Sequence, residues 1–99
     1  MMHVREFQAM MKRVYFHRDS ARGPERTYMW LVEEVGELGR AILRGDKASI
    51  EEEMADVFAW LASLANVLGV DLESCSLKRY PNVCPKCRSS PCRCPFEGA

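Results

Sequence analysis

Two stretches of this chain, LVEEVGELGRAI (Leu31–Ile42) and EEEMADVFAW (Glu51–Trp60), set acids inside an apolar helical pattern. On a wheel advancing about 100° per residue, Leu31, Val35, Leu38 and Ile42 mark the buried stripe of the first. Glu34 falls beside that stripe, and Glu37 a little further round, near Trp30 and Ala41. In the second stretch Ile50, Val57, Leu61, Leu64 and Leu68 mark the stripe; Glu53 points inside it and Asp56 sits on its edge. Glu51 and Glu52 point away, as solvated acids do. Carboxylates gathered near apolar surface raise one another's pKa through desolvation and like charge, and need a counter-charge to stay ionised. A divalent cation supplies it. Ligands that are all oxygen, with no His or Cys among them, favour a hard ion, Mg²⁺ or Mn²⁺, and Mg²⁺ ordinarily completes its shell with water and substrate phosphates. Charge runs on helices are more commonly solvated faces. Glu53 inside the stripe, together with the spacing below, favours the metal.

Helices must position these acids. Val4, Phe7, Met11 and Val14 step by three and four, which predicts a first helix from about Val4 to His17, broken by RDSARGP. Pro24 suits the first turn of a second helix running to about Leu43, with Gly45 as its C-terminal stop. Ser49 and Glu52 have capping-box spacing for a third helix reaching Leu68 before Gly69. Asp71 can cap a short fourth helix through Arg79, closed by Pro81. No strand-like alternation or internal repeat interrupts this pattern. The expectation is an all-α domain over residues 1–80, built on a long antiparallel helix hairpin, and a Cys-rich tail over 81–99. If the hairpin turns at Gly45, Glu37 and Glu53 lie at equal distances from the turn. So do Glu34 and Asp56, and Trp30 and Trp60. At equal rise per residue, two acid pairs then face each other with a tryptophan pair beyond them.

Composition narrows the function. At 99 residues the chain is one small domain with a thin core, the kind that borrows surface from a partner subunit. A formal net charge of +0 offers no large basic field, so nucleic acid is not the expected partner. MMHVREFQAM lacks the apolar segment of a signal peptide, and the near-apolar run Val57–Leu72 is interrupted by Ser63, Asn66, Gly69 and Asp71. The expectation is a cytoplasmic protein that does not enter a membrane.

The tail CPKCRSSPCRC spaces Cys84, Cys87, Cys92 and Cys94 as C-x2-C-x4-C-x-C. This fits a structural Cys₄ zinc knuckle; disulfides and free thiols are the other readings. With Lys86, Arg88 and Arg93 among the cysteines, a knuckle that binds nucleic acid or a protein partner, with the helices as dimeriser, is the non-enzymatic alternative. Cys75 stands alone and reads as packing. Trp30 and Trp60 could stack on a base, although helix-spaced tryptophans are more often core or interface. Arg18 and Arg22, read as loop residues before the second helix, could reach phosphates or simply be solvated. Gly36 and Gly39 cost roughly 1 kcal/mol each inside a helix relative to Ala, which suggests close helix approach or room for a ligand.

EEVGE (Glu33–Glu37) followed by EMAD (Glu53–Asp56) resembles the EExxE…ExxD signature of MazG-like nucleoside triphosphate pyrophosphohydrolases. The resemblance runs from about Asp19 to Leu72, through RDSARGPERTYMWLVEEVGEL and EEEMADVFAWLASLANVLGVDL. It implies an all-α bundle completed by dimerisation, as a dimer or dimer of dimers. It also implies Mg²⁺-dependent hydrolysis of (d)NTPs to (d)NMP and pyrophosphate, a house-cleaning of the nucleotide pool. Carried over, Glu34, Glu37, Glu53 and Asp56 would be the metal ligands, and Glu33 would orient water or support the ligands. Trp60 would lie against the base, and Lys78 and Arg79 of KRYP on the phosphates. Phosphoribosyl-ATP pyrophosphohydrolases carry similar acids and are the alternative enzyme.

Overall fold

The computed structural model describes residues 1–95. Four helices follow one another: α1 (Val4–Arg22), α2 (Pro24–Arg44), α3 (Lys47–Leu68) and α4 (Leu72–Arg79). No strand occurs among the described residues. The expected all-α architecture and its long hairpin, α2 against α3 with α1 laid along α3, are therefore present. The last four residues of the expected tail, 96–99, lie outside the described part.

The helix boundaries differ from the sequence expectation at two places, each for a local reason. α1 does not stop at His17 but runs to Arg22. The polar residues that suggested a break are satisfied within the helix: Ser20 Oγ donates to the Phe16 carbonyl at 2.7 Å, and Arg22 pairs with Asp19 one turn back at 2.8 Å. The chain turns only at Gly23, whose φ of 86° suits a residue without Cβ, and Pro24 opens α2. At the hairpin, Gly45 ends α2 in the left-handed region with φ 72°. Asp46 then takes the N-cap position at once, so α3 begins at Lys47 and Ser49 is already inside it. The expected Ser49–Glu52 capping box does not form; the Ser49 hydroxyl instead donates back to Asp46 Oδ2 at 2.7 Å. Asp71 caps α4 as expected, accepting from the Ser74 N–H at 3.1 Å.

Small residues make the core. Ala41, Ala62, Ala65 and Met11 are buried, with Thr27 and Ser63 among them. Small side chains at the contacts let the helix axes approach closely. α2 presents Thr27, Glu34 and Ala41 inward, together with half-buried Leu31 and Leu38. The stripe expected to be buried is accordingly split: Val35 and Ile42 are 50% and 55% exposed, and on α3 Leu61 and Leu68 also face out. Phe58 stacks on Phe7 of α1, centroids 4.6 Å apart.

Gln8 ties three elements together. Its Nε2 donates to Asn66 Oδ1 at 3.1 Å and to the Val70 carbonyl at 2.7 Å, while its Oε1 accepts from the Leu72 N–H at 3.0 Å. Asn66 Nδ2 donates back to the Gln8 carbonyl at 3.0 Å. This closed set satisfies a nearly buried amide and fixes how α4 leaves α3. No single helix is long and apolar enough to cross a membrane.

Candidate active site

The two-residue turn Gly45–Asp46 sets the hairpin register, and the register brings the acids together. One carboxylate oxygen from each of Glu34, Glu53 and Asp56 lies within 4.8 Å of the others. Glu34 comes from α2 and the other two from successive turns of α3, all half-buried. Farther along the hairpin Trp30 stacks on Trp60, centroids 6.0 Å apart and planes 17° apart. The level pairing of the two tryptophans, inferred from equal distances about Gly45, is thus observed.

The electrostatics of the cluster are unfavourable as it stands. Burial raises the Glu34 carboxyl above its ordinary pKa, and the charge of Asp56, the contact with Glu53 and the charge of Glu37 push the same way. Glu53 Oε2 is buried with no hydrogen-bond partner. A buried carboxylate oxygen left unpaired costs free energy. Three converging carboxylates, one of them with an orphaned oxygen, fit a hard divalent cation as donor set.

Glu37 stands beside this group rather than within it. It forms an ion pair with Arg40, one turn on along α2, although its charge still reaches Glu34. Glu33 is exposed and lines a shallow cleft with Arg26, Met29 and Trp30, on a different side of α2.

Asp56 also lines a cavity of about 270 Å³ between α1 and α3, together with Tyr15, Arg18, Asp19, Arg22 and Trp60. Because α1 runs to Arg22, Arg18 and Arg22 are not loop residues, as the sequence suggested, but helical side chains facing this cavity. Arg22 is held twice: Asp19 Oδ1 accepts from Nη1 at 2.8 Å, and the guanidinium carbon lies 4.9 Å from the centre of the Trp60 ring. Asp19 is 2% exposed, and its Oδ2 has no partner. Sequence reasoning missed Asp19 and Tyr15. The signal was present, since Asp19 and Arg22 have i,i+3 spacing, but it is visible only once α1 is continued past His17.

Residues 22–88, more than half of the chain, match the family model of the MazG nucleotide pyrophosphohydrolase domain. The chain belongs to the MazG family. No curated protein matches it. The MazG match contains both arms of the hairpin, and with them the acid triad, the tryptophan pair and Arg22.

Lys78 and Arg79 lie elsewhere. With Arg88, Pro81, Val83 and Pro85 they line a second cleft of about 350 Å³ between α4 and the tail. In the tail, the sulfurs of Cys84, Cys87, Cys92 and Cys94 lie within 4.8 Å of one another, a second group able to hold a metal. Their acidities are unequal. The backbone N–H groups of Arg93 and Ser89 hold the Cys87 thiol down at about 6, while neighbouring sulfurs, Cys92 first, push Cys94 up to about 12. Cys75 is exposed and outside the group.

Proposed function

We propose that this MazG-family chain hydrolyses nucleoside triphosphates, (d)NTP plus water giving (d)NMP and pyrophosphate, with Mg²⁺ or Mn²⁺ as cofactor, and so clears unwanted nucleotides from the pool. The observation that carries this reading is the meeting of Glu34, Glu53 and Asp56, of which Asp56 also lines a cavity with two arginines and a tryptophan. Glu34, Glu53 and Asp56 would hold the cation, and Glu37 would join them if it exchanged Arg40 for the ion. When bound, the ion supplies the positive charge that a triphosphate and an attacking water require at neutral pH.

The chain's own residues do the rest. Arg22, fixed by buried Asp19, and Arg18 beside it offer guanidinium donors to phosphate oxygens, in a geometry suited to planar, paired hydrogen bonds. The Trp60 ring forms the apolar wall against which a base would sit. Its neighbours Trp30 and Arg22 already occupy part of the ring, so a base must lie along the remaining surface or displace the Arg22 head group toward the phosphates. The acids orient the water in line with the bond from the α-phosphorus to the bridging oxygen. That bond breaks as the new oxygen–phosphorus bond forms, and pyrophosphate leaves. Catalysis of this kind is mainly positioning and neutralisation.

We assign the chain to the cytoplasm and to a homodimer or a dimer of dimers. Support for the assembly comes from α2, where Tyr28, Val32, Val35 and Ile42 recur on one outward face and are each half exposed or more. Such a stripe on a small helical protein suits a second helix pair. The functional test is pyrophosphate release from a panel of NTPs, dNTPs and phosphoribosyl-ATP, with Mg²⁺ and with chelator, by wild type and Glu53→Gln. Metal-dependent release that disappears in Glu53→Gln is the expected result. A folded, metal-loaded wild type that turns over no member of the panel would reject the reading.

A further inference from the structure

We propose that Cys84, Cys87, Cys92 and Cys94 bind one Zn²⁺ as a closed tetrathiolate, and that this ion folds residues 83–95 and builds one wall of the cleft above α4. The acid triad explains the hairpin and leaves the tail unaccounted for. No residue from 81 to 95 is buried, so no apolar core holds this segment in place. Yet its backbone is closely defined. The Arg88 N–H donates to the Cys84 carbonyl at 2.7 Å, and the Cys84 N–H donates to the Ser89 carbonyl at 3.0 Å. Arg88 itself takes φ 61°, a left-handed conformation that a residue with a Cβ rarely adopts unless something requires it.

The sulfur geometry indicates what requires it. Cys84 and Cys94 sulfurs are 3.8 Å apart, and Cys87 and Cys92 sulfurs 3.9 Å apart. A Zn–S bond of about 2.3 Å implies a tetrahedral S···S edge of about 3.8 Å. A disulfide would bring a pair to about 2 Å. Backbone N–H groups also point at sulfur: Arg93 donates to Cys87 Sγ at 3.2 Å and Cys94 to Cys92 Sγ at 3.4 Å. Donors arranged this way favour thiolates, the form that binds metal.

The charges are consistent with a tetrathiolate. Four thiolates around Zn²⁺ leave two negative charges, and Lys86, Arg88 and Arg93 lie within the same short segment. Soft sulfur ligands select zinc over the hard ion expected at the carboxylates. Four protein ligands leave no open position, so the ion is structural. The MazG match ends at residue 88, between the second and third cysteines, so half of this ligand set lies outside the matched domain. Arg88, fixed by the knuckle, reaches the cleft that Lys78 and Arg79 line from α4.

The experiment uses the full chain: metal and disulfide content are read on the protein as isolated, and the reduced chain is then supplied with zinc and freed of loosely held metal. Metal analysis is expected to find one zinc per chain in wild type and in Cys75→Ser, and none in Cys92→Ser. Titration of the metal-free wild type with Co²⁺ should give the visible bands of a tetrahedral tetrathiolate, and one equivalent of zinc should bleach them. Chelation should open the tail to trypsin at Lys86, Arg88 and Arg93 while helical circular dichroism from α1–α3 stays unchanged. This readout does not depend on a variant folding, nor on any nucleotide being hydrolysed. Any of three results overturns the proposal: no zinc retained, Cys84–Cys94 or Cys87–Cys92 joined as disulfides in the protein as isolated, or iron as the stoichiometric metal.

Discussion

Glu53 occupies a position where helix periodicity would place a leucine, and one of its oxygens is buried with nothing to pair it. The same carboxylate that destabilises the metal-free chain would, on the proposed reading, help to hold the ion. Glu53→Gln removes a charge from the triad, so it should not lower the melting temperature measured in chelator. It should weaken Mg²⁺ binding by at least about 10–100-fold, the range seen when even an outer partner of a metal site is lost. Mg²⁺-dependent shifts in melting temperature check both statements. Glu34 adds a pH dependence. Its raised pKa means that protons compete with the cation from a higher pH than at an ordinary carboxylate. Calorimetric Mg²⁺ titrations at descending pH should lose affinity early, and the loss should be attenuated in Glu34→Gln. Asp19 is the positioning residue of the cavity. Its side chain is 3% exposed against 22% for Arg22, and losing a hydrogen bond between charged groups costs about 1.5–3 kcal/mol. Asp19→Ala should therefore destabilise the fold measurably in urea and free Arg22 from the Trp60 ring, visible as a change in tryptophan fluorescence.

Among the helices, α4 depends on its ends more than on its packing, since none of its residues is buried. Asp71 accepts from the Ser74 N–H, and Arg5 of α1 reaches both Asp71 (2.9 Å) and Glu73 (3.1 Å). The Ser74 N–H first, and Arg5 second, hold the Asp71 carboxyl below its ordinary value. A depressed acid stabilises the fold above its unfolded pKa near 3.8, and that contribution is lost as pH falls through the lower folded value. Asp71→Ala should thus loosen α4 at neutral pH, while below the folded pKa wild type and variant should converge. Amide exchange at residues 72–79, followed across that acid range, is the measurement. Exposed ion pairs of this kind contribute little individually, so the effect should be local to α4.

Across the whole molecule, Gly36 and Gly39 separate the contribution of a helix from that of the proposed interface. A Cβ added at either would meet nothing within 4 Å in the single chain. In an isolated chain, Gly39→Ala should raise stability by up to about 1 kcal/mol through helix propensity alone. In the proposed dimer, where the outward face of α2 packs on a partner, the same substitution should weaken association. Sedimentation at several concentrations, read beside denaturation of wild type and variant, distinguishes these outcomes. If wild type sediments as a monomer at every concentration, the proposed assembly is wrong.

The helix hairpin was legible from residue order because its signals are local: apolar steps of three and four, Pro24 at a start, Gly45 and Gly69 at the ends. Three of the four acids, Glu34, Glu53 and Asp56, were legible as neighbours because helix rise is constant, so distances from Gly45 became levels in space; that Glu37 turns to Arg40 instead was not. The Trp30–Trp60 stack follows from the same regularity. The end of α1 was not legible, because Ser20, Asp19 and Arg22 look like breakers until their partners inside the helix are known. The inward face of α2 was not legible either. Small residues at Thr27 and Ala41 let α3 approach on a side turned away from Val35 and Ile42, a packing choice that periodicity alone does not encode. Nor does spacing show that Asp19, Arg22 and Trp60 meet around one cavity. The cysteine spacing left zinc, disulfides and free thiols open. Sulfurs 3.8 and 3.9 Å apart favour zinc, because separations between side chains are properties of the folded chain.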